Sequence, residues 1–432
     1  MTVNVVPQPV SVEERGGDSR LAELPLAELL EAGAAESYVL DLSAAGIRIT
    51  AADDAGAFYA HQTLAQLTDH TGRVPHVRIV DHPRYAYRGA MLDVARHFFP
   101  VADIKRYIDD IALLKLNHLH LHLTDDQGWR IHLDSWPALT GVGASTQVGG
   151  GGGGYYTKDD YREIVEYAAS RFVTIVPEID MPGHTNAAIA SYPELGDAPV
   201  EPYEGIEVGF SSLAIRSERT YDFVADALRE LAELTPGPYL HLGGDESLAT
   251  TDEDFQYFIA RATAIGAATG KTLIGWHEMG RSRELPRGTI GQYWSYRVPQ
   301  EGAAEHTRSF VEQGGRIILS PADAIYVDHK YDESTELGLA WANGPTSVAD
   351  SYEWQPDGII EGVGDDAILG IEAPLWTETL STVEQLETMA FPRLASAAEH
   401  AWSPKGPRVY ADFEPRLAAF TEYLDRLGIH HG

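Results

Sequence analysis

The chain has 432 residues, 44% of them apolar and 22% charged, with a formal net charge of -33 and no cysteine. That length supports one large domain with a small companion and an ample core. The charge disfavours nucleic acid and anionic membrane as partners and suits a neutral or cationic substrate, while the lack of thiols excludes disulfides, zinc–thiolate sites and a cysteine nucleophile.

The opening segment, MTVNVVPQPVSVEERGGDSR, carries neither the basic stretch nor the apolar core of a signal peptide, so a cytoplasmic location is expected. No run approaches the ~18 apolar residues a membrane helix needs. Residues 37–69 read strand, turn, strand, helix, the pattern of a small α+β domain, expected over 1–83. From 84 to 432, strand-like runs alternate with helical periodicity. Strands are predicted at 87–95, 118–123, 173–180, 239–246, 272–278, 289–296, 316–321 and 367–376. Helices are predicted at 101–117, 157–171, 218–234, 252–268, 301–313 and 383–400. Eight strands, most followed by a helix, predict an α/β fold closed as a (β/α)8 TIM barrel. A doubly wound open sheet is the alternative, but its glycine-rich phosphate loop is missing. The six glycines at 149–154 read as a flexible loop inside a long βα connection.

In such barrels the chemistry sits at the C-terminal strand ends. Here those ends offer Arg96, Asp125, Asp180 with nearby His184, Asp245-Glu246, Trp276-His277-Glu278, Trp294, Tyr326, Asp328, Trp376 and Glu378. A single Trp is more often core than site. Three of them at strand ends, among many carboxylates, suit a sugar ring, which needs flat surfaces for its C–H face and acceptors for its hydroxyls. In HLHLHL (118–123) the three histidines share one strand face. Their spacing alone does not converge on a metal, and no second histidine-rich strand end is evident, so hydrogen-bonded interior histidines are expected. The pair Asp245-Glu246, behind Gly243-Gly244, poses a problem. Glycoside cleavage commonly uses carboxylates on opposite sides of the bond, and neighbours in sequence cannot straddle it.

Seven blocks in order carry a resemblance: RGAMLDVARHFFP (88–100), KLNHLHLHLTDDQGWR (115–130), VPEIDMPGH (176–184), HLGGDE (241–246), GWHE (275–278), QYWS (292–295) and APLWTE (373–378). Together they are similar to the family-20 glycoside hydrolases, the β-N-acetylhexosaminidases. The resemblance implies that the substrate's 2-acetamido oxygen is the nucleophile, the exception to the two-carboxylate rule. Glu246 is then the general acid and base. Asp245 holds and polarises the acetamide, which both residues reach only if the strand breaks beyond Gly243-Gly244. It further implies Asp125 and His184 as a hydrogen-bonded chain behind Glu246, Arg96 and Glu378 as hydroxyl ligands, and Trp276, Trp294 and Trp376 as aromatic walls. Tyr326 would bond the acetamido oxygen, with Asp328 a sugar-contacting acid nearby. The implied activity is exo-acting, retaining removal of terminal β-linked GlcNAc or GalNAc, without metal or cofactor. Its substrates would be N-acetylhexosamine-terminated glycans or chito-oligosaccharides. A relative releasing a disaccharide or acting on poly-GlcNAc, a non-catalytic sugar-binding protein, and a metal-dependent hydrolase using the histidine strand are the rival readings. The N-terminal region looks shorter than the family's companion domain, which implies that its first strands are missing.

Overall fold

The computed structural model describes residues 3–21, 23–30 and 33–432. An N-terminal sheet is built from β1 (Ser11–Arg20), β2 (Ala27–Leu29), β3 (Tyr38–Ser43), β4 (Gly46–Ala51) and β5 (Arg73–Asp81), in the order β1-β5-β3-β4-β2. Along β3 buried positions alternate with half-buried ones, and Tyr38, Leu40 and Leu42 share a core with Tyr59, Ala60 and Leu64 of the helix Asp54–Leu67. Asp53 starts that helix by accepting from the Gly56 N–H. The sheet holds two strands ahead of residue 37, so the expectation of missing first strands is corrected. β1 is exposed along most of its length and has no apolar alternation to betray it.

Eight parallel strands then close into a barrel: β6 (Tyr87–Asp93), β7 (His118–His122), β8 (Thr174–Glu178), β9 (Tyr239–His241), β10 (Thr272–Trp276), β11 (Ile290–Tyr293), β12 (Ile317–Leu319) and β13 (Ile368–Leu375), with β13 paired back to β6. The connecting helices are amphipathic. In Glu218–Leu234, for example, Tyr221, Val224, Leu228 and Leu231 form one buried stripe. The predicted helix at 383–400 is two helices, Val383–Ala390 and Arg393–Trp402, because Pro392 has no N–H to continue the ladder. A further helix, Tyr410–Leu427, was not foreseen. Inside the barrel an apolar plug of Tyr87, Val176, Ile274, Ile290, Ile318 and Leu369 gives way to buried charge: His120, His122, Glu178 and Glu372 are wholly buried.

Sheet and barrel meet at a buried cation. Lys115, left-handed at φ 61°, donates from Nζ to Asp81 Oδ2 at 3.0 Å and to Tyr38 Oη at 2.8 Å, and lies 4.5 Å from the Trp402 ring centroid. The Trp402 indole N–H also donates to Asp81, at 3.0 Å. Removing the anion strands the ammonium in an apolar joint. Asp81→Ala should therefore cost about 3–5 kcal/mol of stability, seen as a lower urea midpoint. An unmoved midpoint would show that the joint is held elsewhere.

Candidate active site

A cavity of about 420 Å³ opens at the C-terminal end of the barrel strands, within the usual range for small-ligand sites. Seven residues singled out from the sequence line it: Arg96, Asp245, Glu246, Trp294, Tyr326, Trp376 and Glu378.

The two acids come from one turn. β9 ends at His241, well short of the predicted 246, and Gly243 and Gly244 follow at φ 66° and 99°. A side chain at Gly243 would put its Cβ 1.7 Å from Asp180 Oδ1, and one at Gly244 would meet Met279 at 2.5 Å. Glycine is therefore required twice over, by dihedral and by space. Asp180 Oδ1 accepts the Gly244 N–H at 3.0 Å and so fastens the turn. Glu246 itself has φ 40°, and His184 has φ 55°. These are two of six non-glycine residues with positive φ among those described, and the strain falls on groups facing each other.

His184 Nε2 lies 3.8 Å from Asp245 Oδ2 and 3.6 Å from Glu246 Oε2, so both carboxylates stand on the same side of the cavity. Its Nδ1 lies 3.1 Å from Asp125 Oδ1. Burial alone would raise the Asp125 carboxyl, but the Arg96 guanidinium and His184 hold it well below the usual carboxylate range. Burial likewise disfavours the His184 cation, yet Asp125 and Asp245 hold it well above the ordinary imidazole value. Glu246 is pushed up to about 7, by burial first and then by the Asp245 charge. It is thus a carboxyl poised to give a proton near neutrality.

Arg96 pairs with Asp125 at 2.9 Å and lies 4.8 Å from the Trp376 ring centroid, so it belongs both to an ion pair and to the cavity wall. Trp294 donates its indole N–H to Glu278 at 2.9 Å. Burial and then Asp245 raise the Glu278 carboxyl to about 8.

Trp276 and Asp328, expected as sugar contacts, do not line the cavity, and neither do the two residues expected behind the acid, Asp125 and His184. Trp276 is fully buried beneath it, donating to Glu178 at 2.9 Å, and its ring is 6.1 Å from that of Trp376. It is a floor support, not a wall. Asp125 and His184 stand behind Glu246. Asp328, at 2% exposure, lies inside the protein, and burial and Glu378 raise its carboxyl well above the usual range. The rest of the lining is Ile206, Val208, Tyr296, Gln300, Leu339 and Trp341. All lie in loops after β8, β11 and β12: Tyr296 falls at the end of the strand predicted at 289–296, which stops at Tyr293, and the others sit where no periodicity marks them.

The histidine strand holds hydrogen-bonded interior histidines, as expected, but its neighbours differ from expectation. Partners do converge on it from neighbouring strands, namely Glu178 and His241. The His120 and His241 rings are stacked at 4.5 Å, however, and His120 spends both nitrogens on Glu372 and Glu178 at 2.9 and 3.0 Å. The arrangement is a hydrogen-bonded charge cluster, not a set of ligands aimed at one point. The glycine run is not uniformly free either. A Cβ at Gly153 would lie 2.2 Å from the Ala144 carbonyl oxygen, and one at Gly154 2.3 Å from the Phe98 ring.

Two family models match the chain. One, described as glycosyl hydrolase family 20, catalytic domain, matches residues 85–251 and 246–405; another, described as domain 2 of that family, matches 26–82. A beta-N-acetylhexosaminidase of Cellulomonas fimi is 43% identical over 431 residues, covering 98% of this chain and 85% of its own. Among solved structures, the GH20 beta-N-acetylhexosaminidase from Streptomyces coelicolor A3(2) superposes with a TM-score of 0.96 at 43% identity, covering 100% of this chain and 97% of that one. A structure described as a glycoside hydrolase family 20 beta-N-acetylglucosaminidase gives a TM-score of 0.95 at 50% identity, with 99% and 98% coverage.

Proposed function

The chain belongs to glycosyl hydrolase family 20, and from that premise we propose that it is an exo-acting, retaining β-N-acetylhexosaminidase whose nucleophile is the substrate's own 2-acetamido oxygen. The observation that carries this is the Gly243-Gly244 turn. It places Asp245 and Glu246 within 3.8 Å of a single His184 nitrogen. An oxygen of each also lies within 4.8 Å of one from the other, closer than the about 5–5.5 Å over which a retaining pair straddles a glycosidic bond. They can serve two atoms on the same side. Asp245 accepts the acetamido N–H and offsets the positive charge that grows as the amide oxygen attacks the anomeric carbon. Glu246 protonates the departing oxygen, then takes a proton from the water that opens the oxazolinium intermediate. Arg96 and Glu378 bracket the ring's hydroxyls, Trp294 and Trp376 bound the acetamido pocket, and Tyr326 aims the amide oxygen. A recess of this size, closed by Arg96 and Glu378, supports recognition of one terminal ring.

The test is a panel of aryl β-glycosides with and without the 2-acetamido group, assayed in chelator. Cleavage is expected only with the acetamide present; comparable rates on plain β-glucosides would overturn the reading. The pH dependence has a fixed sign. The acid acts when protonated and Glu246 titrates at about 7, so kcat/KM on a disaccharide should hold on the acid side and fall as pH rises through that value. A rate that climbs through neutrality would contradict Glu246 as the acid.

A further inference from the structure

The carboxylate–imidazole pair behind Glu246 is the end of a longer ladder. Glu372 accepts from Tyr87 Oη and, at 2.7 Å, from the Gln292 amide, and its Oε1 lies 2.9 Å from His120 Nδ1. His120 Nε2 is 3.0 Å from Glu178 Oε2. The same oxygen is 2.5 Å from His122 Nδ1, and His122 Nε2 is 2.8 Å from Asp125 Oδ2. Asp125 Oδ1 then meets His184, whose Nε2 faces Glu246. Three carboxylates and three imidazoles thus alternate across the barrel, from the apolar plug to the cavity floor.

Both nitrogens of His120 and of His122 face carboxylates, so each ring donates twice and is a cation. Burial opposes this, but the flanking Glu372 and Glu178 raise His120 to about 9, and Glu178 and Asp125 hold His122 well above its ordinary value. Alternation is what makes so many buried charges tolerable. The ladder's inner end is closed by neutral donors. Its outer end is open: His184 Nε2 is buried and has no hydrogen-bond partner.

We propose that His122 and Glu178 are positioning residues for the catalytic acid, clamping the Asp125 carboxylate so that its other oxygen holds His184 beneath Glu246. The inference rests on Glu246 being the general acid. Asp125 Oδ2 is held by His122 and by an ion pair with Arg96, and Oδ1 by His184 and the Asp126 N–H. Loss of His122 leaves Asp125 free to turn toward Arg96. Glu178 fixes His122 in turn, and its remaining oxygen accepts the Trp276 N–H at 2.9 Å and lies 2.9 Å from His241 Nδ1, which itself accepts the Gly243 N–H. The charges acting on Glu246 itself are Asp245, Glu278, His184, Arg96 and Asp125. His122 and Glu178 reach it only through the last of these and through the interior field.

The test compares two substitutions at one position. His122→Gln keeps a donor where Nε2 stood, toward Asp125; His122→Asn keeps one where Nδ1 stood, toward Glu178. Both remove the ring and its edge-on contact with Trp376, 4.9 Å away, so their difference weighs the Asp125 hydrogen bond against the Glu178 one. On an unactivated disaccharide, kcat should fall about 10–100-fold further in the Asn variant than in the Gln variant. The gap should close on an activated aryl substrate, with KM equal in the two. Both lose a cation from the ladder, so the alkaline limb of kcat/KM should move to higher pH, by about half a unit. Glu178→Gln, which removes an anion, should move that limb the opposite way, and it carries the test if the Asn variant does not fold. Equal losses on both substrates with an unmoved limb, or wild-type kinetics, would overturn the proposal and leave the ladder as barrel packing. Glu246→Gln is assayed alongside. If it fails to separate the two substrates, the general-acid reading is at fault; if it separates them and the His122 and Glu178 variants do not, only this inference falls.

Discussion

Glu246→Gln is expected to abolish most hydrolysis of a disaccharide, by about 10³-fold, within the range that general acid catalysis supplies, while sparing activated aryl substrates far more. The asymmetry follows from what the proton does. A sugar leaves as a strongly basic alkoxide unless it is protonated in the transition state, and Gln has no acidic proton to give. A nitrophenolate leaves without help, so formation of the oxazolinium is spared and only the water-activating half of the cycle suffers. KM should change little, because Gln keeps the size and hydrogen-bonding reach of Glu. The measurement is the ratio of kcat/KM on the two substrates, wild type against variant. A ratio near one would show that the residue does not act as the acid, whatever the absolute loss. The variant should also lose the alkaline limb at about 7, since the group that titrates there is gone.

Parts of this molecule are legible in the sequence for physical reasons. The barrel strands read well because parallel strands buried on both faces are short apolar runs with turn residues at their ends. Their lengths read poorly at the C-terminal end. Residues 239–246 look like one strand, yet pairing stops at His241, because the turn beyond it is as buried as the strand and keeps the same composition. β1 failed in the opposite way: an exposed edge strand such as SVEERGGDSR needs backbone pairing with β5 to exist, and its side chains say nothing of it. The site divides on similar lines. Arg96, Asp245, Glu246 and Glu378 are polar residues at strand ends and stand out. Trp276 stands out equally but packs below the cavity, since sequence gives a residue's type and not its depth. Glu178 and Glu372 were invisible because their partners come from other strands: Glu372 bonds His120 across 252 positions.

Asp245→Asn should lower kcat by about 10²–10³-fold, the scale of losing one electrostatic partner of a developing charge, with a smaller effect on KM. The amide can still accept the acetamido N–H, so ground-state binding largely survives. What it cannot supply is the negative charge that offsets the forming oxazolinium, and that charge matters only as the transition state is approached. Two further consequences separate this from general damage. A thiazoline mimic of the bicyclic intermediate should lose affinity roughly in step with kcat/KM, while GlcNAc binding stays nearly constant. The pH profile should also shift. After burial, Asp245 is the largest influence raising Glu246, so its neutralisation lets Glu246 ionise earlier and moves the alkaline limb below 7. An Asn variant with near-normal turnover would defeat the anchimeric mechanism. One with low turnover, unchanged thiazoline affinity and an unmoved limb would place Asp245 outside the charge balance of the reaction, leaving Glu246's elevation to burial alone.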